Sequence, residues 1–164
     1  MGLDMYLTKK TYVGGQYSHR NVSGKVEVKI GEDILNIDIN RLASVEENVG
    51  YWRKANAIHK WFVDNIQEGK DECQETYVSK EKLLELRDLC QKVLTTRDAS
   101  LLPPTSGFFF GSTDIDGYYF EELEATIDII DNLKLVPSNS EQFITEGDIK
   151  DPNKHSEFYY QASW

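Results

Sequence analysis

Two of the three tryptophans and a histidine lie in one strongly periodic segment, residues 49–63. At 100° per residue, most of its apolar side chains fall within an arc of roughly 140°, which is typical of an amphipathic helix. The arc contains Tyr51, Trp52, Ala55, Ile58, Phe62, Val63 and Ile66, and His59 lies at its centre. We therefore predict a core helix from about Tyr51 to Ile66. A connector over residues 40–50, with a helical turn near 41–45, would precede it.

The chain before this segment alternates between apolar and polar residues, which predicts β-strands. Leu3, Met5 and Leu7 begin the first run, which extends toward Tyr12–Val13. Two more runs, 25–30 and 34–39, flank residues 31–33, a turn of hairpin length. The first forty residues therefore predict a small antiparallel sheet with one buried face.

The rest of the chain alternates helices with short strands. Ser79 stands where an N-cap belongs, before a helix from Lys80 to about Thr95. A third helix is predicted from about Tyr118 to Leu133, and residues 73–78 and 158–160 suit short strands. Residues 137–156 read as a polar tail. Together these elements predict a single α+β domain over residues 1–164, with an antiparallel sheet and about three helices packed mainly on one face.

Charge and composition exclude several classes of protein. The net charge of −10 argues against wrapping a nucleic-acid backbone, which needs clustered basic residues. The charge is uneven, because five Lys and Arg residues against two acids lie within residues 1–30. Two cysteines without CxxC spacing predict neither a disulfide framework nor a metal site, and no cofactor motif is found. The sequence has no signal-peptide pattern and no apolar run of eighteen residues, so we expect a cytoplasmic protein without a membrane partner.

His59 is the first candidate functional residue. One interpretation is a buried neutral imidazole that orients the core. The other is a pocket wall in which His59, with Asn56 beside it, donates to a ligand or acts as an acid or base. If the chain is an enzyme, His59 is its candidate catalytic residue, and it would make the chain a small hydrolase or transferase. Neither His19 nor His155 has the spacing to share a metal with it.

The loop of residues 106–113 is the second candidate. Two glycines bracket Phe108–Phe110, and glycine lets the backbone approach a ligand closely. Ser112, Thr113 and Asp114 lie just before the third helix, where hydroxyls and backbone amides can hold an anion. A tight aromatic core strand between two turns is the alternative.

An acidic stripe lies on the third helix. It consists of Glu121, Glu124, Asp128 and Asp131. A solvated helix face explains such a stripe. Docking to a basic partner is the sharper interpretation.

Three motifs carry a resemblance to a known group of proteins. They are MGLDMYL at residues 1–7, GYWRKANAIH at 50–59 and SGFFFGS at 106–112. The chain resembles small phage and prophage proteins that begin with this MGLDMYL pattern and have no assigned activity. The resemblance implies a phage or prophage gene, and therefore the cytoplasm of a host cell, and brings no catalytic residue with it.

The sequence therefore predicts an accessory protein that binds and does not catalyse. The favoured ligand is a small nucleotide-like molecule, such as a host signal that an anti-defence sponge would sequester. The expected binding residues are Trp52, Arg53, Asn56, His59, Ser112, Thr113 and Asp114. An inhibitor that docks its acidic helix on a host enzyme is the alternative, and an enzyme based on His59 is the third hypothesis.

Overall fold

A four-stranded antiparallel sheet is the framework of the computed structural model, which describes residues 2–137 and 151–164. Those residues form six strands, three α-helices and a short 3-10 helix at Ala99–Leu101. In chain order the elements are β1 (Asp4–Tyr12), β2 (Val28–Ile30), β3 (Asp33–Leu35), β4 (Ser44–Arg53), α1 (Asn56–Asn65), β5 (Thr76–Val78), α2 (Lys80–Thr96), α3 (Gly117–Asn132) and β6 (Ser156–Ser163). The strand order of the sheet is β4-β1-β6-β5, and β2 and β3 form a separate hairpin. The predicted α+β class is confirmed.

The central strand β1 divides the sheet into a covered face and an open face. Leu7 pairs with Gly50 on one side and with Tyr160 on the other, so the three lie on the same face. That face is buried. Tyr6 and Tyr51 pair on the opposite face, which carries exposed and half-exposed side chains. The alternation read from β1 therefore marks one apolar face and one polar face.

Helices α1 and α3 cover the apolar face. The ring of Phe62 on α1 stacks on the ring of Tyr160 with 3.8 Å between their centroids. The indole Nε1 of Trp52 donates a hydrogen bond of 2.9 Å to Oγ1 of Thr126 on α3. Helix α2 packs against α3. This arrangement agrees with helices packed mainly on one side of the sheet, and no described helix is long and apolar enough to cross a membrane.

A glycine lets α3 approach the sheet closely. The register between β1 and β4 shifts after Leu7, because Leu7 pairs with Gly50 while the next residue, Thr8, pairs with Asn48. Val49 is thus the extra residue of a β-bulge. A Cβ atom on Gly50 would lie 2.9 Å from Cγ2 of Ile129 and 3.1 Å from Cβ of Leu7. Both distances are shorter than ordinary van der Waals contacts, so a side chain at position 50 would force Ile129 or Leu7 to shift.

The predicted start of the first helix is wrong. Strand β4 continues to Arg53, α1 begins only at Asn56, and no helical turn forms at residues 41–45. Trp52 therefore does not share a helix with His59. Residues 50–53 alternate between buried and exposed, and this period of two marks a strand. The first half of β4 lacks this alternation because it contains the consecutive acids Glu46 and Glu47. In the sheet these acids lie opposite lysines of β1.

The predicted sheet of the first forty residues is also only partly correct. The hairpin of β2 and β3 turns at residues 31–32, as the sequence indicates. Its side chains are exposed, however, with Ile30 at 64% and Ile34 at 61%. The main sheet instead joins β1 to β4 and β6, which lie later in the chain. Alternation predicts a strand, but it does not reveal the partner of that strand.

Other elements agree closely with the sequence. Ser79 caps α2 by accepting a hydrogen bond of 3.2 Å from the backbone nitrogen of Lys82. Helix α3 and the last strand β6 form where predicted. Phe108–Phe110 form a loop and not a core strand, with Phe110 buried and Phe108 exposed. Most of the predicted polar tail, residues 138–150, lies outside the described residues.

Candidate functional site

The junction between β4 and α1 positions the first candidate residues. Lys54 adopts a left-handed backbone conformation with φ of 60°, which costs a non-glycine residue about 1–2 kcal/mol. Its backbone nitrogen donates to the carbonyl of Leu3 at 2.7 Å, and its carbonyl accepts from the nitrogen of Asn56 at 2.8 Å. This reversal brings Lys54 and Asn56 against the loop that precedes α3.

The side chain of Asn56 clamps that loop. Its Nδ2 donates to the carbonyls of Phe110 at 3.0 Å and Ser112 at 2.8 Å. Its Oδ1 accepts from the backbone nitrogen of Thr105 at 3.1 Å. Both amide hydrogens are thereby used, so Asn56 shapes the wall of a site and has no N–H left for a ligand. Its burial, with 4% of the residue exposed, agrees with this role.

Two adjoining clefts lie between this junction and α3. The first, which we call the loop cleft, has a volume of about 150 Å³. It is lined by Lys54, Asn56, Pro104, Gly111, Ser112, Asp114, Asp116, Tyr118, Tyr119 and Glu122. The second, the strand cleft, has a volume of about 230 Å³. It is lined by Tyr51, Trp52, Arg53, Ala55, Tyr118, Glu121, Glu122 and Ala125. Tyr118 and Glu122 belong to both clefts.

Glu122 is the residue that sequence reasoning missed. Burial raises the pKa of its carboxyl to about 8, and the negative charge of Asp116 adds to the shift. Its Oε1 atom is buried and has no hydrogen-bond partner among the described residues. A buried carboxyl oxygen without a partner costs free energy, so a ligand that satisfies it gains affinity. The available signal was helical spacing, since Glu122 follows buried Tyr119 by three residues and precedes buried Thr126 by four.

The polar groups before α3 are already paired with carboxylates. Oγ of Ser112 donates to Oδ2 of Asp114 at 2.8 Å and accepts from the backbone nitrogen of Asp114 at 3.0 Å. Oδ1 of Asp116 accepts from the backbone nitrogen of Tyr119 at 3.1 Å and caps the helix. The predicted anion site at this helix terminus is therefore filled by the protein's own acids. Thr113 lines neither cleft.

Trp52 and Arg53 line the strand cleft from opposite faces of β4. The Trp52 side chain is buried and hydrogen-bonded to Thr126, so it contributes little surface to the cleft. Arg53 is exposed, and its Nε lies 3.9 Å from Oδ1 of Asp4. The predicted binding residues thus come together around two clefts, with the exceptions of Thr113 and His59.

His59 lies in the core and lines neither cleft. Its Nε2 lies 2.9 Å from Oδ2 of Asp71, and its Nδ1 lies 2.8 Å from the hydroxyl of Tyr160. Only 1% of the residue is exposed. Burial and the nearby Asp71 hold the pKa of the Tyr160 hydroxyl well above its usual value, so that hydroxyl is protonated and can donate to Nδ1. The neutral tautomer with its proton on Nε2 then satisfies all three groups. This geometry agrees with the core interpretation of His59.

The acidic stripe of α3 faces solvent. Glu121, Glu124, Asp128 and Asp131 are all exposed. Asp131 accepts from Nε of Arg87 on α2 at 2.9 Å, and the stripe forms no other ion pair within residues 2–137 and 151–164. In the described part of the chain, no three His, Cys, Asp or Glu residues are grouped to hold a metal ion.

Comparison with models of known protein families, with curated proteins and with solved structures found no significant match. The assignment of function therefore depends on the geometry of these clefts.

Proposed function

We propose that the protein binds a small nucleotide-like ligand without chemical turnover, and that the loop cleft and the strand cleft hold its base and sugar. The partly buried carboxyl of Glu122 carries the proposal. It lies at the boundary of the two clefts, and its Oε1 lacks a partner among the described residues. The edge of a nucleobase presents N–H groups that a carboxylate accepts well.

The sizes of the clefts support a ligand that spans both. Neither cleft alone reaches the roughly 300 Å³ that is usual for a small-molecule site. Tyr118 lies between them and is 57% exposed, so its ring can stack on a planar base. The two clefts then accommodate different parts of one ligand.

The charge of the site favours the nucleoside part of such a ligand. Asp114 and Asp116 line the loop cleft against the single cation Lys54, and Glu122 adds a further negative charge as it ionises near pH 8. A polyphosphate in this cleft would meet like charges at close range. We therefore expect nucleosides and mononucleotides to bind more tightly than triphosphates.

The phage resemblance suggests a use for such binding. A small accessory protein of a phage gains most from sequestering a nucleotide-derived host signal, and sequestration needs affinity without turnover. The position of His59 supports this choice over the enzyme hypothesis, because both of its ring nitrogens are engaged inside the core. The docking hypothesis depends on the exposure of the acidic stripe alone, so the geometry favours it less.

Titration calorimetry against nucleosides, mononucleotides, triphosphates and cyclic dinucleotides tests the proposal. We expect binding by at least one nucleoside or mononucleotide, a loss of at least about tenfold in Glu122→Gln, and a similar loss in Tyr118→Ala. Glu124→Gln, an exposed acid on the same helix, is the matched control and should bind like the wild type. The absence of binding across the panel at millimolar ligand, or equal affinity in Glu122→Gln and the wild type, would contradict the proposal.

A further inference from the structure

A cavity larger than either cleft at α3 lies at the opposite end of the sheet. It has a volume of about 570 Å³. Its walls come from the end of β1, the loop after β1, the start of β4 and the residues before β6. The first site lies at the other end of β1, where Asp4 pairs with Arg53, and a nine-residue strand separates the two ends by roughly 25 Å. We call this second cavity the basic cleft.

The basic cleft concentrates positive charge in an acidic protein. Lys10, Arg20 and Lys154 line it, with His155 beside them and Glu157 as its one acidic residue. Oε2 of Glu157 accepts from the hydroxyls of Tyr12 at 3.1 Å and Tyr159 at 2.6 Å, so that oxygen is already engaged. This excess of cations stands against a net charge of −10 for the whole chain.

The three cations of the cleft are free of ion pairs within the described ranges. None of Lys10, Arg20 and Lys154 lies within ion-pair distance of a described carboxylate. This includes Glu46, which lies directly across from Lys10 on β4. Cations that converge on one cavity without acidic partners form an attractive site for an anion.

The backbone holds the walls of the cleft in place. The nitrogen of Tyr12 donates to the carbonyl of His155 at 2.9 Å, and the nitrogen of Gly14 donates to the carbonyl of Ala43 at 3.0 Å. The nitrogen of Arg20 donates to the carbonyl of Tyr17 at 2.9 Å and folds the loop back on itself. These bonds tie all four segments together, so the cleft exists before a ligand arrives and less ordering accompanies binding.

Two tyrosines add flat surfaces beside the cations. Cζ of Arg20 lies 5.6 Å from the ring centroid of Tyr17, and Nζ of Lys10 lies 5.7 Å from that of Tyr12. Both rings are more than 40% exposed. A ligand that places a phosphate on the cations can stack an attached ring on Tyr17.

We infer that the basic cleft binds a diphosphate group, held by Lys10, Arg20 and Lys154. The source of that group is either free polyphosphate or a nucleoside diphosphate, and Tyr17 distinguishes them. The site is independent of the clefts at α3, which are acidic and take the uncharged part of a ligand.

Calorimetry with pyrophosphate and with a nucleoside diphosphate tests this inference. We expect the wild type to bind pyrophosphate, and we expect Lys10→Gln/Arg20→Gln to bind it at least about tenfold more weakly. Binding should weaken as the salt concentration rises from about 50 to about 300 mM, because dissolved ions screen the attraction between the cations of the cleft and the phosphates. Lys25→Gln, an exposed lysine outside the cleft, is the matched control and should bind like the wild type.

The second arm identifies the source. If a nucleoside diphosphate binds more tightly than pyrophosphate, and Tyr17→Ala removes that advantage, the ligand is a nucleotide. If the wild type and Tyr17→Ala each bind the nucleoside diphosphate and pyrophosphate with equal affinity, the cleft is assigned to free polyphosphate. No binding of either compound at millimolar concentration, or equal binding in the double variant and the wild type, overturns the inference. Lys10→Gln/Arg20→Gln should leave nucleoside binding at the α3 clefts unchanged, so failure here is distinct from failure at those clefts.

Discussion

Nε2 of His59 lies 2.9 Å from Oδ2 of Asp71, and this contact joins α1 to the loop that follows it. The other carboxylate oxygen, Oδ1 of Asp71, accepts from Nε1 of Trp164 at 3.0 Å. The opposite ring nitrogen of His59 is bonded to Tyr160 of β6. One carboxylate and one imidazole thus connect α1 and the loop after it to the C-terminal strand, about ninety residues later in the chain, which agrees with a structural role for His59.

His59→Ala should therefore destabilise the protein by about 2–4 kcal/mol, because it leaves a cavity and two unpaired polar groups. Asp71→Asn should cost about 1–2 kcal/mol, since it removes only the charge from the hydrogen bond. Asp64→Asn, which alters an exposed pair with Lys60, should cost less than about 0.5 kcal/mol. Urea denaturation measures all three. A cost for His59→Ala as small as that of Asp64→Asn would contradict a structural role for the ring.

Gly50→Ala should cost about 1–3 kcal/mol, because the added methyl group would overlap Ile129 and press on Leu7. Gly117→Ala is the matched substitution, since a Cβ at the first residue of α3 meets no atom within 4 Å. Alanine there should be neutral or stabilise the helix by up to about 1 kcal/mol. Thermal unfolding of the two variants checks the difference, and equal midpoints would show that α3 does not approach the sheet at Gly50.

The pKa of Glu122 predicts a fall in stability with rising pH. The carboxyl is protonated in both states below pH 4.5, its usual pKa. Between that value and the folded pKa of about 8, the unfolded chain loses the proton while the folded chain keeps it. The contribution of Glu122 to the free energy of unfolding therefore falls between about pH 4.5 and about pH 8, and it is constant above about pH 8. We expect a loss of about 1–2 kcal/mol, since solvent reaches part of the side chain.

Glu122→Gln should lack this fall and be the more stable protein at pH 9. Urea denaturation at pH 5, 7 and 9 measures it, with Glu124→Gln expected to follow the wild type. The affinity for a ligand that donates N–H groups to the ionised carboxylate should rise as the pH increases from 6 to 9. Below the pKa of Glu122, binding of such a ligand should release a proton. Parallel pH profiles for Glu122→Gln and the wild type would rule out an abnormal Glu122.

Neutralising most of the acidic stripe should leave the ligand site intact. In Glu124→Gln/Asp128→Asn/Asp131→Asn only the Arg87 pair is lost, so the stability should change by less than about 1 kcal/mol. Glu121 is kept because it lines the strand cleft. Calorimetry should give the ligand affinity of the wild type within twofold. A tenfold loss of ligand affinity would show that the stripe belongs to the ligand site. If the variant instead binds the ligand but no longer binds a purified host partner, the docking alternative is favoured.

The sequence determined the elements whose signals are local. Ser79 and the spacing of Leu83, Leu86 and Cys90 gave α2, while Tyr119, Leu123 and Ile127 gave α3, because caps and apolar periodicity act within a few turns. The alternation of Leu3, Met5 and Leu7 likewise gave the covered face of β1. These patterns were enough for the α+β class.

Tertiary structure decided what depends on distant partners. Strand β4 is acidic over Glu46 and Glu47 and becomes a strand by pairing with β1, about forty residues earlier in the chain. Because of that pairing, Trp52 lies in β4 and not in the helix of His59, and its side chain contacts Thr126. The same long-range packing buried Glu122 and gathered Lys10, Arg20 and Lys154 into one cleft. Burial and convergence of charge arise only when separate segments meet, so no local pattern encodes them.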